Sequence, residues 1–366
     1  MKIHAVTYRW VLLTLLAACS GTSGEPGGSP DAGSDGAACT PRSCVQGACG
    51  SWSNGCGGTL QCGGCGAEAC GVAMTPGWCG NCAGDSWCSE SPAPAGAYGF
   101  SFVTAVSDSS VWVTDPSGLI MEWDGATWHD RSIRTKGSGA LEKGPEALWG
   151  ASPTDVWGIS WRGLWHWNGT SWSLTAKSGW WPVAISGTSS SNIWVVGQSG
   201  LIARFDGSSW TKVVSPTSSN LLAVSARTPS DAWAVGQGAK ILHWDGTRWT
   251  QVSPSTSTTD WRDVKATAEG EAWLVSTNGA VYRWTGQFES RWEVTGTPIH
   301  RIWAFSPTNV WGVGGSGLAV HWTSTQGVPV ATGTSTRFDG IAGTPDGDLW
   351  VVGPSQQSSV FRHAAR

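Results

Sequence analysis

Residues 231–250 read DAWAVGQGAKILHWDGTRWT, three tryptophans in twenty residues with Asp245-Gly246 between the second and the third. Trp233 and Val235 alternate with Ala232 and Ala234, so both faces of this short segment are apolar. That pattern marks a strand buried on both sides. KILHW (240–244) is the next strand, and Asp-Gly makes the tight hairpin that follows it. RWTQV (248–252) is more polar, and LLAVSA (221–226) upstream is a fourth apolar segment. The unit is therefore four strands whose last member is the most polar, as expected for a sheet running from a buried inner strand to an exposed outer edge.

The unit recurs seven times: SDSSVWV, SPTDVWGI, SSSNIWVV, TPSDAWAV, AEGEAWLV, SPTNVWGV and TPDGDLWVV. Their tryptophans are Trp112, Trp157, Trp194, Trp233, Trp273, Trp311 and Trp350, separated by 45, 37, 39, 40, 38 and 39 residues. A period near forty with β patterning predicts an all-β, seven-bladed β-propeller with one four-stranded blade per repeat. A propeller has no single central core, so each blade interface must supply its own. Tryptophan, able to bury roughly 150–250 Å2, suits that task and accounts for most of the 28 in the chain. Pro329 in GVPVA (327–331) agrees with an outer strand, because proline belongs on edges.

Across residues 100–363 the unit VWxVGxxGxIxHWDGxxW resembles tectonin-type repeats and, more loosely, Asp-box propellers. The first resemblance implies glycan binding; the second covers sialidases and assembly factors. The Asp-box pattern spaces Ser-x-Asp-x-Gly before its aromatic residue, whereas here Asp and Gly are adjacent, as in Asp124-Gly125, Asp206-Gly207 and Asp245-Gly246.

The amino terminus, MKIHAVTYRWVLLTLLAACS, has Lys2 and Arg9 before an apolar run that is too short to span a bilayer. It ends in Leu16-Ala17-Ala18-Cys19, which resembles a bacterial lipobox with Cys19 as the lipidated first mature residue. Ser20 at the next position implies sorting to the outer membrane. Residues 1–18 are thus expected to be a signal peptide. Their removal takes Lys2 and Arg9 and no acid, leaving 20 basic against 26 acidic residues and a formal charge of −6. No basic run or stripe suggests nucleic acid. Residues 19–38 are the lipidated cysteine and a Gly/Ser/Pro-rich tether without a large apolar residue.

Ten cysteines fall in residues 39–88: Cys39, Cys44, Cys49, Cys56, Cys62, Cys65, Cys70, Cys79, Cys82 and Cys88. In an exported chain they predict a disulfide-rich module that makes up for its small core with crosslinks. The alternative is zinc, because Cys62-Gly-Gly-Cys65 and Cys79-Gly-Asn-Cys82 have ribbon-like spacing. SNGCGGTLQCGGC (53–65) resembles cysteine-rich segments of surface lipoproteins in some soil bacteria. The propeller is assigned to residues 89–366.

No catalytic constellation stands out. There is no GxSxG elbow, no HExxH and no cysteine after Cys88. The polar residues before the third-strand aromatic, Glu122, His166, Arg204, His243, Arg283, His321 and Arg362, are expected to bond within their own blades. The three histidines come from alternate blades, too far apart to share one ion, so neither metal nor cofactor is predicted. Candidate ligand-binding residues are those that break the repeat: Trp161 and Arg162 between the second and third strands of blade 2, and Trp180 and Trp181 between blades 2 and 3. Aromatic rings beside an arginine suit a sugar or a partner's apolar patch. Trp261 is expected in the core, since its equivalents include Phe100, Leu221 and Phe338.

The seventh repeat lacks a fourth strand. Residues 84–89, GDSWCS, look like the fourth-strand starts GTSWSL (169–174) and GSSWTK (207–212). Two readings stay open: residues 84–91 close the ring by pairing with blade 7, or Trp87 belongs wholly to the cysteine module. The functional expectation is a non-enzymatic, lipid-anchored outer-membrane protein recognising a glycan. Its alternatives are a scaffold for another envelope protein and a glycoside-acting enzyme, the latter without an evident acid/base pair.

Overall fold

The computed structural model describes residues 87–90 and 99–364, apart from 178, 253–258, 294–295, 324 and 355–359, together with the backbone of 50–53, 59–62 and 81–83. Cys19, Cys39, Cys44, Cys49, Cys56, Cys65, Cys70 and Cys79 lie outside the described residues, as do the side chains of Cys62 and Cys82. Gly50–Ser53 and Thr59–Cys62 form a two-stranded sheet.

From residue 99 onward the chain is a seven-bladed β-propeller. Six sheets hold four antiparallel strands in sequence order, and a seventh is completed from upstream. Blade 3 is typical: inner strand Pro182–Ser189, second strand Asn192–Gly197, third strand Ile202–Phe205 and outer strand Trp210–Lys212. Its second strand is buried at every position, whereas the outer strand is largely open. The gradient of apolar character along each repeat thus becomes a gradient of burial from axis to rim.

Each anchor tryptophan packs forward into the next blade. Trp112 meets Trp167 and Trp172 of blade 2, with ring centroids 5.6 and 5.9 Å away. Trp194 meets Trp244 and Trp249 of blade 4 at 4.9 and 5.2 Å. Trp350 meets Trp123 and Trp128 of blade 1 at 5.9 and 5.8 Å. The contacts are tilted or edge-on, the arrangements that ring quadrupoles favour.

The ring closes by the same rule. Trp87–Ser89 pairs antiparallel with the third strand of blade 7, with His363 opposite Trp87 and Phe361 opposite Ser89. The Glu90 amide extends the ladder to the Val360 carbonyl at 2.9 Å. Trp87 is buried and lies edge-on to the blade 6 anchor Trp311 at 6.2 Å, the part that outer-strand tryptophans play elsewhere. Asn81–Ala83 adds a fifth strand, Cys82 opposite Cys88, and Cys88 is disulfide-bonded.

Two local devices repeat around the ring. The polar third-strand residue bonds the start of its own second strand: His166 to Asp155 at 2.8 Å, His243 to Asp231 at 2.8 Å, His321 to Asn309 at 2.9 Å and Arg283 to Glu271 at 2.6 Å. Several of these side chains also lie on the anchor ring, His321 stacking on Trp311 at 4.0 Å. In the Asp-Gly hairpin, the Asp245 carboxylate accepts the amides of Thr247 and Arg248 at 2.8 and 2.9 Å, while Gly246 takes the left-handed φ of 94°. Asn168 does the same in blade 2, accepting the Thr170 and Ser171 amides at 3.0 Å.

Candidate functional site

One end of the propeller carries two kinds of loop: the turn from second to third strand, and the connection from one blade's outer strand to the next blade's inner strand. They meet by a repeated backbone bond. The Gln198 amide donates to the Trp181 carbonyl at 2.9 Å, Gln237 to Asn220 at 2.9 Å, Thr277 to Asp260 at 2.8 Å and Gly315 to Pro298 at 3.1 Å. Three of these second strands end in glycine, Gly197, Gly236 and Gly314, while that of blade 5 ends in Ser276. A Cβ on Gly197 would sit 2.1 Å from the Trp181 carbonyl oxygen. The bonds also fix an equivalence: Trp181, Asn220, Asp260 and Pro298 occupy one repeat position.

At that position a small polar side chain caps the turn of the preceding blade. Asn220 Oδ1 accepts the Ser199 amide at 2.9 Å, and Asp260 Oδ1 accepts the Gly238 amide at 2.8 Å. Between blades 2 and 3 the residue is Trp181, whose indole has no acceptor oxygen. The corresponding turn finds its acceptor locally, the Arg162 amide donating to Ser160 Oγ at 3.2 Å. The turn is thus satisfied without the incoming side chain, and Trp181 stands 57% exposed.

Trp180 and Trp181 line a cavity of about 310 Å3, with Gln198, Ser199, Leu201, Ile202, Lys212 and Val213 around them. This is near the lower end of the roughly 300–1,000 Å3 typical of small-ligand pockets. Trp180 packs partly on the cluster between blades 2 and 3, so its ring is held by the fold. The Lys212 ammonium lies 5.4 Å from the Trp180 ring centre. The result is two aromatic walls, an aliphatic floor from Leu201 and Ile202, and a cation with amide and hydroxyl groups at the edge. Such a cavity can stack a flat apolar face and hydrogen-bond its polar rim.

The four sequence candidates divide. Trp180 and Trp181 line this cavity; Trp161 and Arg162 do not. Arg162 is engaged by its own surroundings: Nη1 lies 3.6 Å from a Glu142 carboxylate oxygen and 3.5 Å from the Lys143 carbonyl, and its guanidinium is over the Trp165 ring at 5.7 Å. Trp161 stands in the same turn, 52% exposed. Trp261 is buried against Tyr282 and Phe288. Lys212 and Gln198 escaped the sequence reading. Lys212 varies at its aligned position, matching Asp130, Leu174 and Gln251 in other outer strands, whereas Gln198 is the same residue as its blade 4 equivalent Gln237 and gave no signal.

No protein-family model and no curated protein matches the chain. Solved structures do. YCF48 bound to D1 peptide is 17% identical with a TM-score of 0.61, covering 77% of this chain and 98% of that one. Virginiamycin B lyase from Staphylococcus aureus is 14% identical with a TM-score of 0.60, covering 74% and 96%. The WD40 repeats of RRP9 are 10% identical with a TM-score of 0.64, covering 78% and 99%. One is bound to a peptide, one is a lyase and one is a WD40 protein, so what the likeness carries is architecture: this chain has the fold of a seven-bladed β-propeller.

Proposed function

We propose that the propeller is a non-enzymatic recognition domain whose ligand sits against Trp180 and Trp181, and that the ligand is a glycan. One observation carries this reading. Trp181 occupies a repeat position that holds a turn-capping Asn220 or Asp260 at the entries to blades 4 and 5 and Pro298 at the entry to blade 6, and it exposes its ring beside a second, fold-braced tryptophan. An exposed ring that no packing requires is the kind of feature a binding site retains. A sugar ring offers an apolar face for the indoles and hydroxyls for Gln198, Ser199 and Lys212. The resemblance to tectonin-type repeats supports the same ligand class. The lipobox-like Leu16-Ala17-Ala18-Cys19 supports display of the domain from a membrane by acyl chains on Cys19.

A second reading, recognition of a protein segment, is favoured by the fold likeness to a propeller solved with a peptide. Full-length Cys19→Ser protein, expected in the soluble fraction, separates the two on a glycan array run beside a peptide library. Saccharide binding that falls roughly tenfold in Trp181→Ala supports the glycan reading, a stack being worth about 0.5–1.5 kcal/mol beyond the area it buries. Peptide binding with the same loss favours the second. Binding unchanged in Trp181→Ala and in Trp180→Ala overturns the site.

A further inference from the structure

The inner strands that ring the propeller axis are not chemically alike. Those of blades 5 and 6, Trp261–Ala268 and Ile299–Ser306, open with Arg262-Asp263 and His300-Arg301. Blade 7 brings Arg337 and Asp339 to the equivalent entry, just before Gly340–Gly343. The positions matching Arg262 in blades 1 to 4 hold Ser101, Glu146, Val183 and Leu222. Three arginines and a histidine therefore gather on one side of the axial entrance, while blades 3 and 4 present aliphatic groups there.

The backbone is shaped at these points. The register between inner and second strands slips at the same place in blades 3 to 6, so Arg262 and His300, like Val183 and Leu222, are the extra residues of β-bulges, and only blades 5 and 6 carry basic side chains on them. Bulges re-aim side chains and recur beside binding sites.

The local acids are already committed. The Asp263 carboxylate accepts the backbone amides of Val264 and Ile302 at 3.0 and 2.9 Å. Asp339 takes Arg337 at 2.7 Å and lies 3.7 Å from His300 Nδ1. Among the described residues Arg262 makes no hydrogen bond or ion pair, and the one hydrogen bond of the Arg301 guanidinium is to the His300 carbonyl at 3.2 Å. Burial, then the charge of Arg301 and that of Arg337, hold Arg262 below the usual arginine range, with Asp339 and Asp263 opposing. Deeper in the same strand, Lys265 Nζ lies 3.5 Å from the centre of the Trp303 ring, and burial brings its amine down to about 8 against the pull of Asp263. The entrance thus holds a concentration of positive charge in a partly desolvated setting, with guanidinium donors to spare.

We propose that this entrance binds an oxyanion, the carboxylate or phosphate group of a ligand, between the guanidinium groups of Arg262 and Arg301, with Arg337 at its rim. Arginine forks match both groups in bidentate geometry. This site is separate from the tryptophan cavity and does not depend on the reading given for it.

The test is calorimetric titration of the full-length Cys19→Ser protein with inorganic phosphate and with acetate, at constant ionic strength against chloride. Saturable binding of either is expected, and the stronger of the two assigns phosphate or carboxylate. Arg262→Gln should weaken it roughly tenfold, the loss of one charge-assisted pair. Arg301→Gln should do the same, and Trp181→Ala should leave it unchanged. If Arg301→Gln loses its β-sheet circular dichroism, Arg262→Gln decides, because no bond of the fold rests on Arg262. Absence of saturable binding, equal affinity in Arg262→Gln, or loss in Trp181→Ala overturns the proposal.

Discussion

The seam between blades 4 and 5 and the seam between blades 2 and 3 are built on one plan and part at the residue that enters the later blade. In the first, Asp260 reaches back to cap the Gly238 amide. In the second, Trp181 replaces the cap and Ser160 Oγ takes over the Arg162 amide. Below that level the seams agree: Trp233 packs with Trp284 and Phe288 of blade 5, and Trp157 with Phe205 and Trp210 of blade 3. The comparison separates what the ring needs from what it only carries. Packed anchors are required at every seam; the identity of the entering residue is free wherever a local hydroxyl can satisfy the turn.

The anchors should show the largest effect. Trp233→Ala is expected to cost about 3–5 kcal/mol in chemical denaturation, the usual toll for truncating a buried tryptophan. Trp87→Ala should cost a similar amount, although Trp87 lies 146 residues earlier in the chain, because it is just as buried, in the outer-strand place at the closing seam and edge-on to the anchor Trp311. A loss below about 1 kcal/mol for Trp87→Ala would mean that its strand is not part of the cooperative ring.

The anchors were also the most legible part of the sequence. Each blade encodes its seam within some forty residues, so the apolar second strand, the Asp-Gly hairpin and the polar third-strand residue all report local geometry. The closing strand was only half visible: GDSWCS repeats the outer-strand pattern of GSSWTK, but its cysteine suited the cysteine module equally well. The site was only half legible. Trp180 and Trp181 showed as breaks in the repeat, but Lys212 and Gln198 are ordinary residues that gain meaning only beside those rings. Arg162 looked available; its engagement by Glu142 and the Lys143 carbonyl depends on the long connection between blades 1 and 2, which no repeat describes. The arginines of the axial entrance lie nearly one repeat apart, and become a cluster only when the strands are set around a common axis.

A smaller effect should separate the seams themselves. Asp260→Ala removes a cap and is expected to cost about 0.5–1.5 kcal/mol. Trp181→Ala should stay within about 0.5 kcal/mol of the parent, because its ring is mostly open and its turn is satisfied elsewhere. Paired denaturation curves check this ordering. A reversed order would make Trp181 a structural residue and remove the main support for the binding site.

The smallest effect is invisible at neutral pH. Asp245 and Asn168 cap the same hairpin in blades 4 and 2 with the same pair of backbone amides. The hydrogen bonds from the Thr247 hydroxyl and the Arg248 amide hold the Asp245 carboxyl down to about 2, against an ordinary 3.8, and the Ser209 and Ser208 amides do the same for Asp206. A carboxyl that is more acidic in the folded chain contributes stability that is fully present above its unfolded value and is lost as pH falls toward the folded one. Asn keeps the acceptor oxygen without the titration. Asp206→Asn/Asp245→Asn should therefore match the parent in thermal midpoint at pH 7 and lose less stability than the parent between pH 4 and pH 2. Parallel curves over that range would show that these hairpin carboxylates are not held below their unfolded value, and that Asp and Asn caps are equivalent at every pH.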